Sequence, residues 1–101
     1  MNSKSSLAAY PLTNEERFAN FHANNLHIYD LFKLYALEAL RYGKTRLSIA
    51  LITERIRWEE AVVSGREFKL NNNHSAFYAR LFHAHHPHLG EVFKLRTRRS
   101  N

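Results

Sequence analysis

Apolar positions recur at spacings of three and four over residues 26–41, where Ile28, Leu31, Phe32, Tyr35 and Ala39 form one stripe and Leu34, Leu37 and Leu40 widen it. That period belongs to a helix with a buried side, and the breadth of the stripe predicts a central one. Arg41 suits its last turn, and Gly43 can take the left-handed conformation that ends it. Upstream, Thr13 and Glu16 have the spacing of a capping box. They open a helix whose Phe18 and Phe21 share a buried side, and Asn24-Asn25 interrupts it, with Asn25 placed to cap the next helix. A third helix is predicted over 47–62. Ile49, Ile52, Ile56 and Val63 form one apolar strip and Leu51, Trp58 and Val62 another. Arg55 and Glu59 lie between them as an ion pair at a spacing of four. Thr53, Glu54, Arg57 and Glu60 fall on the far side, as a solvent face.

Ser64-Gly65 breaks that helix. Residues 66–70 alternate, so the segment reads as extended with Phe68 and Leu70 inward. Asn71-Asn72-Asn73 reads as a turn, and Asn73 is placed to cap a fourth helix over 74–86 that stops before Pro87. Residues 92–98 alternate again, Phe93 and Leu95 on one side and Lys94, Arg96 and Arg98 on the other. The pattern predicts a mainly α, four-helix single domain of helix-turn-helix or winged-helix type with a short C-terminal basic β segment. Residues 1–11 are expected to be a flexible N-terminal segment, 12–98 the domain and 99–101 a tail. A length of 101 residues suits one domain, and 45% hydrophobic with 13% aromatic residues supply a modest core.

Charge changes the picture because of where it sits. Up to residue 43, Lys4, Arg17, Lys33 and Arg41 are balanced by Glu15, Glu16, Asp30 and Glu38; the rest of the chain holds the whole net charge of +6. One-sided positive charge attracts polyanions, although it also serves solubility. On the fourth helix, Phe77, Tyr78, Leu81 and Phe82 project to the core and Ser75, Ala76, Ala79, Arg80 and His83 to the opposite side. Small residues there would let the backbone approach a groove wall while a few polar groups read or brace it. Its start, Asn72, Asn73 and His74, offers free amides to a phosphate. Lys44, Arg46, Arg66 and Lys69 sit in the connections flanking the third helix, and Lys94, Arg96, Arg98 and Arg99 line the C-terminal segment. The connection of residues 63–73 is longer than the usual turn of a helix-turn-helix.

Other chemistry finds less support. The absence of cysteine removes disulfides and thiolate zinc sites and suits a reducing cytoplasm. No stretch has the length of a signal peptide or a membrane span. Of seven histidines, His83, His85, His86 and His88 crowd around Pro87. His83 and His86 are a turn apart, but no acid or cysteine close by completes a zinc spacing, so no metal or other cofactor is expected. No phosphate loop, paired acids or nucleophile elbow appears, and no catalytic residue is nominated.

Three strings carry a resemblance. Phe21-His22-Ala23-Asn24-Asn25-Leu26-His27-Ile28-Tyr29, then Ile56-Arg57-Trp58 and Phe68-Lys69-Leu70-Asn71-Asn72-Asn73-His74-Ser75-Ala76-Phe77-Tyr78-Ala79-Arg80-Leu81, resemble small uncharacterised proteins of tailed bacteriophages and prophages. The resemblance spans about residues 14–96 and implies a phage setting in the bacterial cytoplasm, with no activity attached. The sequence therefore predicts a non-catalytic nucleic-acid-binding protein, DNA favoured over RNA. Lys44, Arg46, Lys69, Asn72, Asn73, His74, Ser75, Arg80, His83, Lys94, Arg96, Arg98 and Arg99 are the candidate contacts. The alternative is a protein-interaction module that inhibits a host or defence complex. No membrane partner is expected, and either a monomer or a homodimer fits, since no heptad or exposed apolar stripe demands association.

Overall fold

The computed structural model describes residues 11–66, 70 and 72–95, with the side chain of Asn72 outside the description. Four α-helices follow in order: α1 (Asn14–Asn24), α2 (Leu26–Arg41), α3 (Ile49–Trp58) and α4 (Asn72–His85). A π-helical turn, Glu59–Val63, extends α3, and a 3-10 turn, Pro87–Leu89, follows α4. Among the described residues there is no strand, only one isolated parallel bridge between Leu47 and Phe93. The chain is mainly helical. Of the expected extended segments, residues 67–69 and 96–98 lie outside the described residues; Leu70 is buried, and over 93–95 the expected alternation holds.

Local chemistry explains the helix ends. Thr13 Oγ1 accepts the Glu16 amide at 3.1 Å while Glu16 Oε1 accepts the Thr13 amide at 2.8 Å, a complete capping box. Asn25 stands at the N-cap of α2, but its side chain does not cap that helix; its amide donates back to Phe21 O at 2.9 Å. At the far end of α2, the Lys44 amide reaches Ala39 O and the Gly43 amide reaches Leu40 O, with Gly43 at φ +101°. This is the Schellman closure that glycine permits. Ser48 Oγ accepts the Leu51 amide and starts α3, two residues later than the sequence pattern predicts. Asn73 is not the N-cap of α4, because the helix already begins at Asn72.

The core is aromatic. Ile28, Phe32, Ile56, Tyr78, Phe82 and Phe93 are fully buried, each side chain contributing about 1.5–3 kcal/mol by leaving water. Phe93 packs on Phe32 at 5.2 Å and edge-on to Phe82 at 5.8 Å between ring centroids. It thereby fastens the segment after α4 to α2. Phe18 of α1 stacks on Phe77 at 4.9 Å and meets Tyr78 edge-on at 4.8 Å.

Two predicted faces differ. On α3 the expected ion pair forms, Arg55 to Glu59 at 3.8 Å, and Ile52 and Ile56 are buried as expected. Thr53 and Glu60, expected in solvent, are buried at 4% exposure each, whereas Leu51, Trp58, Val62 and Val63 are exposed. The reason lies in the π turn and in α4. The wider turn after Trp58 carries the Glu60 carboxylate inward, where it accepts from His27 Nε2 at 2.9 Å. Thr53 faces the start of α4, its hydroxyl 3.0 Å from that of Ser75.

Candidate nucleic-acid interface

Helix α4 is the place to begin, because the sequence assigns it the reading face. The helix is covered on two sides rather than one. Tyr78 and Phe82 meet α1 and α2, while Ser75 (2% exposed) and the fully buried Ala79 leave the surface on the other side. Ser75 therefore cannot contact DNA; its hydroxyl belongs to the pair with Thr53. His74 is also buried, 5.0 Å from the Phe21 ring and edge-on to Phe18 at 5.8 Å. Burial holds its pKa below the ordinary histidine value, so the ring favours the neutral form and brings no positive charge to a phosphate. His83 is half-buried, and its Nε2 accepts the Phe93 amide at 3.1 Å. What remains on the α4 surface is narrow. Asn73 and Ala84 are exposed and Ala76 and Arg80 half-buried, with the Arg80 guanidinium 5.4 Å from the Phe77 ring centroid. Lys69, Arg96, Arg98 and Arg99 lie outside the described residues, as does the side chain of Asn72.

Several of the histidines serve packing. His22 Nδ1 lies 3.2 Å from the Tyr78 hydroxyl and His85 Nδ1 2.7 Å from that of Tyr29. The buried hydroxyls are thus satisfied by imidazoles from a neighbouring helix, as burial requires. Burial pushes Tyr29 up to about 12 and raises Tyr78 further. Tyr35 is also raised, first by burial and then by its hydrogen bond to Glu59 at 3.1 Å. His86 stacks on Phe82 at 4.3 Å and bonds to the Phe82 carbonyl at 3.0 Å. Among the described residues no group of three or more histidines and acids is placed to hold a metal ion.

The described cations divide into those with a carboxylate partner and those without, and Arg17 of α1 and Arg80 of α4 belong to the second kind, apart from the four considered below. Arg55, Arg57, Arg66 and Lys33 each have a carboxylate within ion-pair distance: Glu59, Glu54, Glu60 and Asp30 respectively. Arg41, Lys44, Arg46 and Lys94 are exposed, and among the described residues no ion pair reaches them. The chain path relates these four. The Schellman closure turns the chain at Gly43, so Arg41 and Lys44 flank the last turn of α2. The Leu47 amide then donates to Val92 O at 2.8 Å, and Leu47 and Phe93 bridge in parallel with both side chains buried. Arg46 and Lys94 are the immediate chain neighbours of that bridge. Glu91 is exposed nearby and forms no ion pair with them.

Sequence reasoning missed Arg41, treating it only as a partner of the helix dipole. The signal was available: three cations within six residues, Arg41, Lys44 and Arg46, around a glycine turn. The bridge to residue 93 was not readable, because nothing local links Leu47 to a segment so far along the chain. Among the described residues no helix is long and apolar enough to cross a membrane. No family model, curated protein or solved structure matches the chain.

Proposed function

We propose that this protein binds nucleic acid, duplex DNA in the first instance, through phosphate contacts with Arg41, Lys44, Arg46 and Lys94. The observation behind this reading is the Leu47–Phe93 bridge, which joins the loop between α2 and α3 to the start of the most basic stretch of the chain. That stretch continues in sequence as Arg96, Arg98 and Arg99. Exposed guanidinium and ammonium groups without carboxylate partners are the ones that gain by displacing counterions from a polyanion.

The helix-turn-helix or winged-helix arrangement enters here in reduced form. Helices α3 and α4 would be the pair, and the segment after Val92 would lie along the backbone. With Ser75, His74 and Ala79 buried, the polar side chains that α4 would offer to a groove among the described residues centre on Asn73 and Arg80. Phosphate contact then outweighs base readout, and the binding is weakly sequence-dependent. The role proposed is binding rather than reaction, and no catalytic residue is nominated. The resemblance to phage proteins supplies the setting, a bacterial cytoplasm during infection.

The test is fluorescence anisotropy of a labelled duplex. With four to seven phosphate contacts, affinity should fall by about two to four orders of magnitude between about 50 and about 200 mM salt. Undetectable binding at the lower salt would overturn the reading.

A further inference from the structure

The outer face of the α2–α3 hairpin is apolar and uncovered. Tyr42 is 84% exposed, Leu51 58% and Trp58 59%. Leu51, Trp58 and Val62 follow one another at seven and four residues, which puts them on one side of α3 and its π extension. Between the helices, Tyr42 and Leu51 border a depression of about 220 Å³ floored by Tyr35 and Ile52. Glu38 stands on its α2 wall and Arg55 on its α3 wall. Exposed apolar side chains bordering such a depression mark an interface.

The charges indicate what covers it. A net charge of +6 makes two copies of this chain repel each other over most of their surfaces. On this face an acid and a base oppose each other across the depression. Among the described residues no ion pair reaches Glu38, and Arg55, which pairs with Glu59 at 3.8 Å and lies 4.4 Å over the Tyr35 ring, is half exposed and has more N–H groups than that one pair uses. The patch also holds both a projecting ring and a hollow. An apolar cavity of about 150 Å³ accepts a benzene ring, so the depression is large enough for a phenol. A surface with a knob and a hole, and with a minus and a plus, is self-complementary, which is what a two-fold interface requires.

We propose that a second copy of the chain docks on this face about a two-fold axis. Tyr42 of each copy fills the depression of the other, and Glu38 of each meets Arg55 of the other. The axis lies near the α2–α3 turn, so the two cationic loops come to the same side of the dimer. Their repulsion weakens as salt rises, and association strengthens with it, opposite in sign to phosphate binding.

Analytical ultracentrifugation of the nuclease-treated full chain tests this without reference to nucleic acid. The chain should be dimeric at high concentration, with a dimer dissociation constant that falls as salt is added. Tyr42→Ala, at a position too exposed to matter for folding, should raise that constant at least tenfold, as loss of a central aromatic anchor does (about a tenfold change or more). Glu38→Arg and Arg55→Glu should each be monomeric alone and associate when mixed one to one, because each variant then meets the opposite charge. A wild-type chain that stays monomeric up to about 1 mM, where even weak affinities register, would overturn the proposal. So would variants that fail to associate on mixing while the wild type dimerises.

Discussion

His74 lies against the rings of Phe18 and Phe21 with its Nδ1 buried and without a hydrogen-bond partner among the described residues. Its folded-state pKa is depressed by burial, so the unfolded chain binds the proton more readily. Its contribution to stability is present above about pH 6.5, the ordinary histidine value, and is lost as pH falls from there through the folded value. His74→Leu should remove this part of the acid sensitivity and, by deleting an unsatisfied buried group, gain roughly 1 kcal/mol. Urea unfolding of both proteins at about pH 7.5 and about pH 5.5 reads the difference; an unchanged pH dependence would contradict it. The Thr53–Ser75 pair gives a second residue-level prediction. Ser75→Ala leaves the Thr53 hydroxyl buried and unpaired, at a cost of about 1–3 kcal/mol, yet DNA affinity should not change, because Ser75 is inside. A loss of affinity with intact stability would return α4 to the role of reading helix.

At the scale of elements, the turn at Gly43 carries the heaviest local constraint. A methyl group there would meet no atom within 4 Å, so the cost of Gly43→Ala is backbone strain at φ +101°. It should destabilise the chain by about 1 kcal/mol or somewhat more, a fall of several degrees in Tm; a Tm equal to that of the wild type would show that the closure carries no strain. This element was legible in the sequence, as were the Thr13–Glu16 box, the central α2 and the Arg55–Glu59 pair, because each depends on residues within one or two turns. The faces of α3 and α4 were not. A projection at 100° per residue assumes one buried side and an unbroken α period. The π turn breaks the period after Trp58 and brings Glu60 inward, and α4 is covered by α1 and α2 on one side and α3 on another. Small polar residues such as Thr53 and Ser75 read as solvent-facing until the partner helix that satisfies them is known.

At the scale of the whole molecule, the charge halves seen in the sequence resolve into paired and unpaired cations. Lys33 and Arg57 are held by Asp30 and Glu54 along helix faces, where exposed pairs are worth at most about 1 kcal/mol. Arg41, Lys44 and Arg46 follow the closure of α2, and the Leu47–Phe93 bridge brings the segment of Lys94 beside their loop. On this account it is position, and not total charge, that confers phosphate binding. The direct measurement is the salt dependence of duplex binding for three chains of known charge: the wild type, Lys44→Ala with Arg46→Ala, and Lys33→Ala with Arg57→Ala. Removing the loop pair should reduce the slope of log affinity against log salt by about two, while removing the ion-paired cations, the same charge elsewhere, should leave it nearly unchanged. Equal losses from the two double variants would contradict the account.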